Sequence, residues 1–332
     1  MKKVLTIVMA LMIALLGFAG CGDNAQAPAQ DAGDDGAIQI VATIFPEYDW
    51  VRTVLGDNPA GAEVTLLLDS GVDLHSYQPT AADMLKISTC DMFIYVGGES
   101  DAWVDDAMAQ RVNADMKVLN LMDIMGDAAK EEEVVEGMQA EEEEGEEAEE
   151  EEGPEYDEHV WLSLRNAQVF VNEIAKSLGE VDPDNAMYYQ GNADMYNDEL
   201  RHLDADYIDV FDVSSRSHLV FGDRFPFRYM FDDYNMDYYA AFVGCSAETE
   251  ASFETITFLA GKVDELGLKS VLTIEGADHR IAETIVQNTQ SKDQQILTLD
   301  SMQSTTAADV AGGATYLGIM KENLEVLKEA LK

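Results

Sequence analysis

Residues 182–213 read DPDNAMYYQGNADMYNDELRHLDADYIDVFDV. Asp182 stands where a helix N-cap is wanted, and Pro183 occupies the first helical position, where its missing N–H removes no bond. Beyond them Tyr189, Ala193, Tyr196, Leu200, Leu203, Tyr207 and Val210 recur at steps of four and three, which places them on one face of a single helix. About 30 residues at 1.5 Å each span roughly 45 Å, enough to run the length of two lobes. The aromatic stripe reads as core packing rather than a ligand box. One stiff linking helix over 182–212 therefore divides the folded chain in two.

Both sides of this helix carry the same pattern. Upstream, IQIVATIF, AEVTLLLD, DMFIYVGG and MKVLNLM are short apolar runs separated by helical stretches; downstream, SHLVFGD, DYYAAFVG, SVLTIEG and QQILTLD repeat the arrangement. Such spacing predicts an α/β fold of two lobes, each with a small, mostly parallel sheet flanked by helices. The first lobe covers 38–181 and the second 213–332, closed by an amphipathic helix in DVAGGATYLGIMKENLEVLKEALK. In open sheets of this kind, ligands bind in the crevice beyond the strand C-termini.

Outside the lobes, residues 1–20 form a basic head (MKK) and an apolar run ending in small residues, the layout of a secretory signal peptide. Cys21 follows at once. The polar, Gly- and Ala-rich stretch 21–37 reads as a flexible tether. Besides Cys21 the chain has only Cys90 and Cys245, each in an apolar setting that favours a buried free thiol, although the two could pair; a four-cysteine zinc site is excluded by number.

The formal net charge is −45, and residues 131–158 alone hold sixteen Glu and one Asp. A segment of that composition cannot bury a core and is expected to be a disordered acidic loop. The acidity of the remainder argues against nucleic acid as a partner and in favour of cations. The loop itself reads equally as a solubilising device or as a collector of cations.

Two of the five histidines sit where chemistry is expected. His75, in GVDLHSYQPTAAD, follows a strand end, and His159, in DEHVWLSLRNAQ, closes the acidic run. Taken with VATIFPEYDWVRTVLGD, CDMFIYVGGESDAWVDD and DPDNAMYYQGNADMYNDEL, these motifs resemble, in order and spacing, the metal-binding lipoproteins of zinc and manganese ABC importers, from about Ile38 to the C-terminus. The segment FAGC resembles a lipobox, which implies a lipid on Cys21 and an anchor on the outer face of the bacterial cell membrane.

The resemblance implies that His75 and His159 are metal ligands and that zinc is the transported ion, with manganese possible. It implies a monomer that delivers its cargo to a membrane ABC permease and has no enzymatic role. The family's third ligand, a His or Glu, falls here on Gly222 or Arg224 of VFGDRFPFRYMF, and neither side chain coordinates a cation. Asp223 between them is the substitute, unless Arg224 claims its carboxylate. The fourth ligand, an Asp at a late strand end, maps onto Asp300 in ILTLDSMQS, which could instead cap the next turn. Glu275, Glu248 and Glu250 also lie near expected cleft loops, whereas His202, His218 and His279 read as surface or structural. Because the imidazoles must be neutral to bind metal, affinity is expected to fall as pH drops through about 6.5. Two rival readings remain, a surface metal buffer or adhesin and an extracytoplasmic metallohydrolase; the latter finds no HExxH and no recognisable nucleophile turn.

Overall fold

Each apolar run becomes a strand, because short stretches rich in Val, Ile, Leu and Phe bury both faces inside a helix-covered parallel sheet. In the first lobe β1 (Gln39–Ala42), β2 (Glu63–Leu66), β3 (Met92–Tyr95) and β4 (Lys117–Asn120) pair in parallel in the order β2-β1-β3-β4. In the second, β5 (His218–Phe225), β6 (Asp237–Val243), β7 (Ser270–Ile274) and β8 (Gln295–Leu299) repeat that order as β6-β5-β7-β8, also parallel. The helices in chain order are α1 (Phe45–Leu55), α2 (Ala81–Thr89), α3 (Val104–Ala109), α4 (Leu121–Met125), α5 (Leu164–Val181), α6 (Ala186–Val213), α7 (Arg228–Asp233), α8 (Phe253–Leu266), α9 (Arg280–Asn288), α10 (Ala307–Ala311) and α11 (Tyr316–Ala330). This computed structural model describes residues 36–139, 155–246, 250–276 and 278–332, and residues 37–332 form one compact unit. The signal segment, Cys21, most of the tether and Glu248 lie outside the described residues.

The linking helix α6 starts slightly later than the sequence suggests. A 3-10 turn over Pro183–Asn185 precedes it, and the Asp182 carboxylate accepts from Asn185 Nδ2 (2.7 Å) and Tyr189 Oη (2.6 Å) instead of from a helix N–H. The expected stripe is otherwise the buried face: Tyr189, Ala193, Tyr196, Leu200, Leu203 and Tyr207 all point inward. The C-terminal stretch splits at Gly312 and Gly313 into α10 and α11.

The acidic segment is shorter as a loop than its composition suggests. Glu131 forms an antiparallel bridge with Tyr156, and the Glu132 N–H donates to Glu155 O at 2.8 Å. Asp157 and Glu158 are buried. Residues 131–139 and 155–158 are thus part of the fold, and 140–154 lie outside the described residues.

What fixes the lobes is a seam of aromatic and helix-end contacts. Trp50 on α1 is fully buried, with its ring 5.7 Å from Phe170 of α5 and 5.0 Å from Tyr316 of α11. The Asp49 carboxylate accepts the Tyr316 N–H at 2.8 Å, meeting one of the unpaired donors at the start of α11 with a negative charge. Tyr207 Oη donates to Met320 O at 2.7 Å, tying α6 to the same helix. A first-lobe helix, the linking helix and the last helix therefore share one core, which opposes free hinge motion. Trp50→Ala removes the ring at the centre of this seam and is expected to cost about 3–5 kcal/mol of unfolding free energy, read from urea denaturation followed by circular dichroism.

Candidate metal centre

His75 is presented by a single 3-10 turn, Leu74–Ser76, shortly after β2. Asp73 caps that turn, its Oδ1 accepting the His75 N–H at 3.0 Å, and buried Leu74 anchors it. Asp73 Oδ2 in turn pairs with the Arg224 guanidinium from β5. Burial would raise the Asp73 pKa, but the charge and hydrogen bond of Arg224, with the charge and backbone N–H of His75, together outweigh it and the carboxyl stays below its ordinary range.

His159 is fully buried at the entry to the 3-10 turn Val160–Leu162. Asp157 Oδ1 receives both its backbone N–H (2.9 Å) and its ring Nδ1 (3.0 Å). A carboxylate only accepts, so Nδ1 carries a proton, and in the neutral ring Nε2 holds a lone pair that faces His75. The two Nε2 atoms lie 3.2 Å apart. Two imidazole nitrogens at 2.0–2.1 Å on a tetrahedral ion are separated by about 3.3 Å, so the rings need little rearrangement to share one.

The third donor is Cys245, two residues past the end of β6. Cys245 Sγ and the two histidine nitrogens lie within 4.8 Å of one another, the group of that kind found among the described residues. Its backbone N–H donates to Glu132 Oε1 at 3.2 Å. Gly244 makes the approach possible: a Cβ there would sit 2.9 Å from His159 Cε1 and 3.0 Å from Phe225 O.

The two carboxylates expected as ligands are not in this group. Asp223 falls in a β-bulge of β5 between Phe221 and Arg224, and its carboxylate accepts from the backbone N–H groups of Arg224 (2.9 Å) and Ile274 (3.3 Å). It shares with His75 a cavity of about 520 Å³ without reaching the donor cluster. Asp300 Oδ1 accepts the Met302 N–H at 2.8 Å, and the side chain lines a different cavity, with Glu275, Asp309 and Glu322. The family's third-ligand position fails for two physical reasons. A Cβ on Gly222 would stand 2.6 Å from Ala282 Cα of α9, and Arg224 is committed to Asp73. His202 is exposed on α6, His218 lies beside Asp237 (3.7 Å) at the start of β5, and His279 holds a left-handed turn before α9. Cys90 and Cys245 are both free thiols.

The electrostatics suit a divalent cation. His75 is held neutral, its pKa lowered to about 3 by burial and by the neighbouring His159 ring. Burial, with the charges of Asp157, Glu158 and Glu132 adding, pushes the Cys245 thiol well above its ordinary range. Burial likewise raises Glu158, and raises Asp101 to about 7. Glu158 Oε2 lies 3.7 Å from His75 Nδ1, while its Oε1 accepts the Ser100 N–H at 3.0 Å. Glu99, Glu132, Glu155 and Glu158 line a cavity of about 250 Å³ that borders His75 and Cys245. Sequence reasoning missed Cys245 because a lone cysteine after YYAAFVG looks like core; the signal that could have found it is its place just beyond a strand end.

Two parallel lobes on a rigid linking helix, with two imidazoles and a thiol converging between them, define a metal-binding solute-binding protein. The chain belongs to the zinc-uptake component A family: the sequence profile described as "ZnuA: Zinc-uptake complex component A periplasmic" matches residues 40–330. It is 29% identical over 313 residues to the high-affinity zinc uptake system protein ZnuA of Bacillus subtilis, covering 94% of this chain and 93% of that protein. It is 30% identical over 331 residues to the zinc-binding lipoprotein AdcA of Streptococcus pneumoniae strain R6, covering 99% of this chain but only 61% of that longer relative. Among solved structures, the zinc-bound ZnuA-like domain of Streptococcus pneumoniae AdcA superposes with a TM-score of 0.68 at 26% identity, over 89% of this chain and 99% of that one. The metal-dependent lipoprotein YcdH of Bacillus subtilis shares the fold, with a TM-score of 0.70 at 24% identity over 89% of this chain and 99% of that one.

Because Gly244 has no room for a side chain, Gly244→Ala is expected to push the His159 ring out of line. Zinc affinity should fall by about tenfold or more, measured by competition with a chelating dye, while the far-ultraviolet dichroism stays unchanged.

Proposed function

We propose that this protein binds zinc between its lobes through His75, His159 and Cys245 and passes it to a membrane ABC permease. In this reading it works as a monomer outside the cytoplasm, held to the membrane by lipid on Cys21, with no catalytic role. The observation that supports it best is the approach of three donors of the right chemistry, two imidazoles and a thiol, to within 4.8 Å of one another. A multiply acylated Cys21 would be a durable anchor, since each buried methylene contributes about 0.8 kcal/mol.

A thiol ligand also favours zinc over manganese, because soft sulfur suits zinc and hard oxygen suits manganese. The rival hydrolase reading would need an open coordination position with a general base beside it. Glu158, a buried carboxylate beside His75, has its Oε1 engaged by the Ser100 N–H while its Oε2 lies 3.7 Å from His75 Nδ1, the non-coordinating side of that ring in the proposed site.

The test is titration of the metal-free protein with zinc, with manganese competing, for the unaltered chain and for His75→Ala, His159→Ala, Cys245→Ser, Asp223→Ala and Asp300→Ala. The first three substitutions should each weaken zinc binding by about a hundredfold or more, and the two aspartate variants by less than tenfold. Strong loss at Asp300 with none at Cys245 would replace the thiol by the carboxylate.

The pH dependence follows from the shifts above. His75 is already neutral above about pH 4, so it supplies no step near 6.5. The Cys245 thiol, raised by burial, must release its proton to bind. Apparent affinity should therefore climb about tenfold per pH unit, with about one proton released per zinc, as calorimetry in buffers of different ionisation enthalpy will read. Cys245→Ser should flatten that slope.

A further inference from the structure

Cys245 stands where its own sheet has stopped holding it. The parallel pairing of β5 with β6 ends at Phe225 and Val243, so the Cys245 N–H, two residues further on, lies beyond the ladder. A partly buried backbone donor needs an acceptor within the protein. It finds one in Glu132 Oε1 at 3.2 Å, on a segment that comes from the other lobe. Glu132 also lines the cavity of about 250 Å³ that borders His75 and Cys245.

Glu132 reaches this place because residues 130–139 leave the first lobe and are fastened to the second along their length. At the near end the Lys130 N–H donates to Tyr229 Oη at 2.9 Å, and its ammonium pairs with Asp232 at 2.7 Å. The Arg228 guanidinium donates to Glu131 O and pairs with Glu133 at 3.4 Å. At the far end the Gln139 N–H donates to Ala241 O at 3.0 Å, on β6, the outer strand of its sheet. Gln139 Oε1 accepts the Ser252 N–H at 2.8 Å, at the start of α8. Between the two ends Val135 and Met138 pack on the main core. Gly137, at φ +83°, runs so close to Phe258 that a Cβ would stand 2.0 Å from Cδ1. Exposed ion pairs contribute little singly, so the hold comes chiefly from the backbone hydrogen bonds and the packing.

We propose that residues 130–139 form a strap by which the first lobe holds the second lobe's thiol donor in place, with Glu132 as the positioning residue for Cys245; this rests on the three-donor reading of the site. A hydrogen-bonded neighbour that orients a ligand typically changes metal affinity by about 10–100-fold. Position and charge can be told apart here because they predict opposite signs. Glu132→Gln keeps an Oε1 acceptor for the Cys245 N–H but removes a negative charge beside the cation. Arg228→Met loosens the strap while removing a positive charge from acidic surroundings.

The test is zinc competition titration and chelator-driven zinc release for Glu132→Ala, Glu132→Gln and Arg228→Met in the full chain, with the cobalt(II)-loaded forms read by visible absorption. Glu132→Ala should weaken zinc binding by about tenfold or more and shift the thiolate-to-cobalt charge-transfer band, and Glu132→Gln should restore the band and most of the affinity. Arg228→Met should release zinc about tenfold faster in spite of the lost positive charge. Charge acting alone would make Glu132→Gln as weak as Glu132→Ala and would make Arg228→Met bind more tightly; either result overturns the proposal. If Glu132→Ala proves unstable in thermal melts, Glu132→Gln and Arg228→Met still decide it by their signs. A charge-transfer band missing from the unaltered protein would remove Cys245 from the site and overturn the three-donor reading itself, a failure visible before any variant is made.

Discussion

The arrangement of the metal centre depends on one buried hydrogen bond, from Trp161 Nε1 to Ser301 O at 2.9 Å. Trp161 is two residues after His159 and Ser301 is two residues past the end of β8, so this contact joins the first-lobe segment that carries an imidazole to the second-lobe turn that faces it. Both partners are fully enclosed, and losing either would leave an unpaired polar group where water does not reach. Tyr316 Oη completes the joint by donating to Trp161 O at 2.7 Å, and Tyr316 is also the residue against which Trp50 packs. The aromatic seam of the fold and the metal centre are thus one continuous structure.

The same enclosure determines the charge states. Carboxylates cluster around the donors, yet the positive groups available to them are few. Arg224 answers Asp73 at one edge, while His75, the nearest ring to Glu158, is neutral. Burial responds by raising Glu158 and Asp101 and by keeping Cys245 protonated. A divalent cation reverses each of these penalties together, since it supplies the charge that the acids lack and makes the thiolate the favoured form. In the proposed site the surrounding acids would act on affinity without touching the ion, through the field they impose on its ligands.

Much of this was legible in the sequence, and the parts that were not have identifiable causes. Eight apolar runs and the long aromatic stripe were readable because strands buried on both faces are continuously apolar and a buried helix face repeats at steps of three and four. His75 and His159 were singled out by the resemblance of their motifs to a known family, since a lone loop histidine says little by itself. Cys245 was not singled out, because a thiol in an apolar run is chemically indistinguishable in sequence from a core residue. Asp223 lies outside the donor cluster for a different reason: a bulge within β5 turns its carboxylate onto the backbone of β7. Register irregularities of that kind leave no mark in composition.

The replacement at the family's third position then has a physical reading. Arg224 cannot bind a cation, but its guanidinium holds the cap of the His75 turn, because Asp73 accepts both from Arg224 and from the His75 N–H. Arg224 thus positions the loop that carries His75 instead of facing the donor cluster, and Cys245 lies two residues beyond β6, the strand paired directly with β5. Swapping an oxygen or nitrogen donor for sulfur changes which ions the centre prefers, since hard manganese gains little from thiolate and zinc gains much. In the proposed site Arg224 orders the turn that carries His75 while Cys245 supplies the sulfur donor, and a preference for zinc over manganese would follow from the thiolate.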